Sequence, residues 1–183
     1  MRLFVAIELD EPFRNHLIKL QDSLRLMLPK VSFTKPENLH LTLKFIGEVE
    51  ERKVPALCDA LGAVARDGEF PLRYVGLDLL PPHGPIRILA AAVDGGEKLP
   101  ALQSRIEDAC AAQDIPRENR RFRAHITLAR ARDGLARSTG SKLLQEFGPV
   151  KSTEMVVGSF VLMLSTLTNK GSEYSCLYKI ALI

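Results

Sequence analysis

The sequence lacks the features that would mark several classes of function. It holds only three cysteines in 183 residues, Cys58, Cys110 and Cys176, far apart and with no CxxC pair. That argues against a thiolate zinc site or a disulfide framework and for free thiols in a reducing compartment. No apolar run approaches the roughly 20 residues that cross a bilayer, so no membrane partner is expected. The opening MRLFVAIELDEPF interrupts its short apolar stretch with acidic residues, where a secretory signal needs a longer core and a cleavage site. A cytoplasmic protein is expected. Charge excess is also small, with 25 basic and 22 acidic residues and a net charge of +3. This balance permits an anionic ligand without requiring one. No linker and no low-complexity segment is evident, and 46% of residues are apolar, so residues 1–183 read as one domain.

What is present alternates between strand and helix signals. RLFVAIEL, residues 2–9, reads as a strand. Asp10 suits a helix cap, and Phe13, Leu17, Leu20, Leu24 and Leu28 recur at helical spacing up to Pro29. VSFT at 31–34 is short and extended, and LHLTLKFIG at 39–47 alternates as a strand. Residues 50–65 predict a second helix, 70–80 and 86–93 two strands, and a third helix starts near Glu97. RFRAHITLARA, 121–131, alternates again; a short helix near 138–147 ends at Gly148-Pro149, and strands are expected near 153–167 and 173–182. Each half thus offers a helix, a strand carrying His-x-Thr, a further helix and strands. Closely spaced strand pairs favour an α+β fold with largely antiparallel sheets.

The four histidines are His16, His40, His83 and His125, and two of them open matching strings, HLTL and HITL. With seven threonines in the chain, two such pairings arise by chance in roughly one chain per hundred, before the flanks are counted. On a strand, residues two apart share a face. His40 and Thr42 therefore stand together with Leu39, Leu41 and Leu43 behind them, and His125 and Thr127 stand together with Ala124, Ile126 and Leu128 behind. Two imidazoles across one cleft suit the opening of a phosphodiester. One activates the attacking oxygen, the other protonates the leaving oxygen, and both forms coexist near neutral pH. Hydroxyl donors stabilise the charge that grows on the phosphoryl oxygens. A lone histidine on a half-buried strand is more often structural, but the doubled motif reverses that weighting. Metal ligation is the other alternative, and two histidines without a carboxylate make an incomplete zinc set. No metal or other cofactor is expected.

The two motifs resemble the signature of the two-histidine phosphoesterase superfamily. MRLFVAIEL, PENLHLTLKFIGEV at 36–49 and FRAHITLAR at 122–130 are similar to the RNA 2′,3′-cyclic phosphodiesterases, also called 2′-5′ RNA ligase-like proteins. The resemblance implies two pseudo-symmetric lobes facing a central cleft, with helices on the outside. It implies hydrolysis of a 2′,3′-cyclic phosphate at an RNA end to a 2′-phosphate, and leaves reversible 2′-5′ ligation open. It assigns His40 as acid toward O3′ and His125 as base toward water, with Thr42, Thr127 and Arg130 binding substrate. The expected partner is RNA with a cyclic phosphate terminus, handled by a monomer. The family usually has proline near Ser172, which this chain lacks.

Strict alternation puts Arg130 on the face opposite His125, so it reaches the phosphate only if the strand ends or bulges near Ala129. Arg117, Arg120, Arg121, Arg123 and Arg132 cluster nearby; for Arg117 and Arg120 a solvated loop is the better reading, and Arg123 shares the His125 face by alternation. Phe4, Phe33, Phe45 and Phe122 are candidates for base stacking, though core packing is commoner for each. His16 falls within a helix and His83 in a Pro-rich turn. Two other functions stay open: a nucleotide- or RNA-binding module without chemistry, and the same chemistry on a different cyclic or 2′-5′ nucleotide.

Overall fold

A computed structural model describes residues 1–148, 153–169 and 171–183. Among these, nine strands form one curled sheet with four helices packed against it. All strand pairings are antiparallel, as the hairpin spacing predicts.

The centre of the sheet is a seam between β3 (His40–Glu48) and β6 (His125–Leu135), which pair at Leu41 and Ile126. On one side lie β1 (Arg2–Glu8), β8 (Ser159–Thr168) and β9 (Gly171–Ala181). On the other lie β5 (Ile86–Asp94), β4 (Phe70–Leu80) and β7 (Glu154–Val157). The order across the sheet is β7-β4-β5-β6-β3-β1-β8-β9, with the short β2 (Ser32–Phe33) added beside β6. The two sides of the seam are the two pseudo-symmetric lobes, with β1 matching β5 and β8 matching β4. The last strand of each half crosses over. β4 follows the first half in sequence but joins the second lobe, and β8 follows the second half but joins the first. The long strand expected at 153–167 is therefore two. It breaks at Gly158, where the chain passes from β4's edge to β1's edge and where a Cβ would approach Glu69 Oε1 to 2.7 Å.

Helix α1 (Glu11–Met27) starts as the sequence reads: Asp10 accepts from the Phe13 amide at 2.8 Å, and Pro12 sits in the first turn. It buries Phe13, Leu17, Leu20 and Leu24. Helix α2 (Val54–Gly62) is shorter than the 50–65 span because a 3-10 turn occupies Glu51–Lys53. Helix α3 (Lys98–Ala111) packs against α2 and β3, and α4 (Arg137–Phe147) against β4. Pro149, expected to end α4, lies outside the described residues. The main core lies between the helices and the sheet, holding Val5, Ile7, Leu41, Leu43, Leu89, Ile126 and Leu128. A second, small cluster of Phe4, Ala6 and Val161 lies on the sheet's other face with Met163 and Tyr174 against it. That division leaves one sheet face for the motif side chains.

Candidate active site

Leu41 and Ile126 are fully buried at the seam. Their neighbours His40, Thr42, His125 and Thr127 therefore turn to the opposite face, where each is half-buried. Continuing the antiparallel register sets His40 beside Thr127 and Thr42 beside His125. The two histidines are then diagonal neighbours, a relation spanning roughly 7–8 Å in a regular ladder. Among the described residues the two strands pair at this one position. The sequence expectation that two His-Thr pairs meet on one face is thus what the fold brings about.

Each histidine is fixed in the same way. His40 Nδ1 donates to the Asn38 carbonyl at 2.8 Å, and His125 Nδ1 donates to the Arg123 carbonyl at 2.7 Å. In both cases the acceptor is two residues upstream. With the proton held on Nδ1, Nε2 is left as the acceptor in the neutral ring. The Thr42 hydroxyl lies 3.0 Å from His40 Nε2 and donates to it. The upstream residues are themselves tied down by their side chains. Asn38 Nδ2 donates to the Ser172 carbonyl on β9 at 2.9 Å, and Arg123 Nη2 pairs with Asp78 on β4 at 2.5 Å.

The two environments differ. The His40 ring packs 5.0 Å from Phe4 and 5.4 Å from Tyr174, centroid to centroid. Burial there lowers the His40 pKa below the ordinary imidazole value, opposed in part by the bond to the Asn38 carbonyl.

Arg130 reaches the cleft face by the bulge that the sequence reading required. In the β5–β6 ladder Leu89 faces Ala129 and Ala90 faces Thr127, so Leu128 is extra. Leu128 and Ala129 are both buried, and parity then returns Arg130 to the side of His125. The same bulge recurs in β3. Val5 faces Lys44 and Ala6 faces Thr42, leaving Leu43 extra. Lys44 therefore turns inward, and Phe45 emerges on the cleft side with 67% exposure. HLTLKF and HITLAR are equivalent through all six positions.

Two of these consequences escape strict alternation. It places Lys44 in the cleft, yet Lys44 is buried and bonds Glu107 Oε2 at 2.7 Å and the Pro116 carbonyl at 2.9 Å. It places Phe45 in the core, yet the ring is exposed. Comparing the two motif copies position by position is the signal that reveals both, since a bulge in one copy demands one in the other.

The other candidates separate. Arg123 lies just before β6, which begins at His125, and pairs with Asp78, which stands in register with Ala90 and Thr127 on the motif face. Arg117 pairs with Asp108. Arg121 and Arg132 are exposed, as is Arg120. Phe4 is buried, Phe33 lies under the Arg25 guanidinium at 4.6 Å, and Phe122 packs against the core. His16 packs 5.2 Å from Tyr74 in a structural contact, and His83 is exposed in its turn.

These features define an internally duplicated α+β protein whose halves each contribute a histidine and a threonine to one cleft. The model of the LigT-like phosphoesterase family matches the chain twice, at residues 7–90 and 91–174, and the chain belongs to that family. A relative from Methanothermobacter thermautotrophicus named RNA 2′,3′-cyclic phosphodiesterase is 31% identical over 96% of this chain and 95% of its own. A solved structure from Thermus thermophilus superposes with a TM-score of 0.82 at 29% identity, covering 100% of this chain and 98% of the other. The E. coli LigT structure complexed with 3′-AMP gives 0.79 at 25% identity, covering 99% and 97%. Among the described residues, no helix is long and apolar enough to cross a membrane.

Proposed function

We propose that this chain hydrolyses RNA 2′,3′-cyclic phosphate ends to 2′-phosphates by metal-independent histidine acid–base catalysis. The observation that carries the reading is the doubled arrangement in which each motif histidine gives Nδ1–H to the carbonyl two residues before it, leaving Nε2 for the shared cleft. The relatives' names supply the substrate class.

In this reaction His125 takes a proton from water as its oxygen attacks phosphorus. The P–O3′ bond breaks, and His40 delivers a proton to O3′. The phosphoryl group stays on O2′. Thr42 and Thr127 hold the non-bridging oxygens, and Arg130 clamps the phosphate with charge-assisted bonds. Burial favours neutral His40 in the free enzyme. A bound phosphodiester anion favours the imidazolium, so substrate binding itself loads the acid. With an RNA 5′-hydroxyl in place of water as the attacking group, the same groups make a 2′-5′ linkage, and the reverse reaction splits that linkage back to the cyclic phosphate. We place the enzyme in the cytoplasm, acting as a monomer and one folded domain over residues 1–183.

The test is product analysis on a short RNA ending in a 2′,3′-cyclic phosphate, with EDTA present. The wild type is expected to yield the 2′-phosphate, and His40→Ala and His125→Ala to yield it about 10²–10⁴-fold more slowly. A 3′-phosphate product, or activity abolished by EDTA, overturns the reading. Binding without product identifies a binding module, and turnover of small cyclic nucleotides alone identifies a different substrate.

A further inference from the structure

We propose that Ser32 and Thr34, at the short edge strand β2, form with Arg130 a second anion subsite that takes the phosphodiester on O5′ of the terminal nucleotide. This rests on the function proposed above and deepens it: the substrate is an RNA strand with a phosphate upstream of its cyclic end.

Strand β2 is short, but its place is fixed. Ser32 faces Arg130 and Phe33 faces Ala129 in the β2–β6 ladder. The Thr34 amide bonds the Leu128 carbonyl at 2.9 Å. Gln21 Nε2, on α1, donates to the Thr34 carbonyl at 2.8 Å and to the Leu128 carbonyl at 2.9 Å. Directly opposed residues of an antiparallel pair share a face. Ala129 is buried, and Phe33 packs against the core with the Arg25 guanidinium over its ring. Ser32 therefore shares the cleft face with Arg130, and Thr34, one residue past Phe33, returns to that face. Ser32 and Arg130 are exposed and Thr34 is half-buried. Among the described residues, none of these three side chains has a hydrogen-bond or ion-pair partner.

The row His125, Thr127 and Arg130 along β6 is thus flanked by a second row, Thr34 and Ser32. Arg130 stands opposite Ile88 and Thr127 opposite Ala90, so the two are separated by two rungs of β5, about 7 Å along the strand. That is the scale of one nucleotide step. A planar guanidinium with donors along its edges can bridge neighbouring phosphates. Serine and threonine hydroxyls add donors to the phosphate oxygens that the guanidinium leaves over. The other lobe offers no counterpart. Arg117 holds the place before His125 that Ser32 holds before His40. It pairs with Asp108, however, and its segment forms no strand beside β3. The free donors that continue from the histidines therefore lie along β2 and β6.

The experiment uses a dinucleotide ending in a 2′,3′-cyclic phosphate, made with either its natural phosphodiester or a neutral methylphosphonate between the two nucleosides. Ser32→Ala combined with Thr34→Val removes both hydroxyls and keeps the backbone bonds of Thr34. On the natural linkage this variant should raise KM roughly 10-fold, the scale of one hydrogen bond to a charged group, with kcat little changed. On the methylphosphonate, wild type and variant should have the same KM, which also shows that the variant is folded. An unchanged KM on the natural linkage, or an equal penalty on both linkages, overturns the proposal. Fluorescence anisotropy with the same dinucleotides, labelled and bound to the full-length His125→Ala variant, gives a readout without turnover. There too, adding Ser32→Ala and Thr34→Val should weaken binding of the natural linkage alone. Should the wild type turn over no cyclic phosphate, the function proposed above fails, while the anisotropy still decides whether Ser32 and Thr34 hold the upstream phosphodiester.

Discussion

The carboxamide of Gln21 donates to the carbonyl of Leu128, 2.9 Å away in space and 107 residues away in sequence. The same Nε2 donates to the Thr34 carbonyl at 2.8 Å, and the Thr34 amide also bonds the Leu128 carbonyl at 2.9 Å. Leu128 is the extra residue of the bulge that turns Arg130 to the cleft. In the other lobe Gln103 reaches the carbonyl of Leu43, the extra residue of the matching bulge, at 3.4 Å. A helix glutamine thus caps each bulge from behind, satisfying a backbone group that the ladder has released.

Gln21→Leu should therefore destabilise the protein by about 1–3 kcal/mol, the cost of leaving a buried acceptor with lost partners. It should also lower kcat/KM by letting Arg130 drift. Urea denaturation read by circular dichroism gives the first number and steady-state kinetics the second. An unchanged midpoint would show that the Thr34 amide alone suffices.

Removing either imidazole should remove one proton-transfer step. His40→Ala and His125→Ala are each expected to lose about 10²–10⁴-fold in kcat, with far-UV circular dichroism unchanged. The double variant should be little worse than the poorer single one, since acid and base act as a unit.

The pH dependence follows from where His40 sits. Burial against Phe4 and Tyr174 lowers its pKa in the folded state. Between that lowered value and the unfolded value of about 6.5, the unfolded chain binds the extra proton. Stability should therefore rise with pH across that window and level off above it. Tyr174→Ala admits water and should move the His40 midpoint upward in an NMR titration. The rate profile should be a bell whose limbs belong to the two histidines jointly.

Asn38 and Arg123 act on the histidines through their own backbones. Asn38→Ala frees its link to Ser172, and Arg123→Met frees its link to Asp78. Each should lower kcat by about 10-fold with little change in KM, the mark of an imidazole held less firmly in the transition state. Arg123→Lys should recover part of the loss. An effect on KM alone would instead mark Arg123 as a substrate contact.

The buried pair of Lys44 and Glu107 ties β3 to α3 and, through the Pro116 carbonyl, to the segment that leads to His125. Lys44→Met leaves a carboxylate buried without its cation and should cost about 3–5 kcal/mol. Lys44→Met combined with Glu107→Leu should cost less than the single change. Thermal or urea melts of the three proteins check the order.

Much of the site was legible in the sequence because its chemistry repeats. His40, Thr42, His125 and Thr127 stood out as matched pairs on alternating strands, and the fold brings them to one face. The helix faces were legible too, because Phe13, Leu17, Leu20 and Leu24 keep a clean 3.6-residue period. What alternation hid was the parity change at each bulge. A bulge leaves no composition cue, so strict alternation alone would put Lys44 in the cleft and Phe45 in the core. Arg123 reads as part of the strand because an extended segment before a strand looks like the strand itself, while its partner Asp78 pairs with Ala90 and Ala90 with Thr127, on the motif face. The break at Gly158 was hidden for the same reason: one apolar run served two strands in different lobes.

That exchange of final strands has a consequence for the chain as an object. A cut between β4 and β5 would not release two self-sufficient halves. The N-terminal piece would carry an orphan strand whose neighbours are all on the other piece, and the C-terminal piece would carry β8 and β9 with no β1 to receive them. The two fragments are expected to recover their structure only when mixed, each closing the other's open sheet edge, like two hands that can clasp only one another.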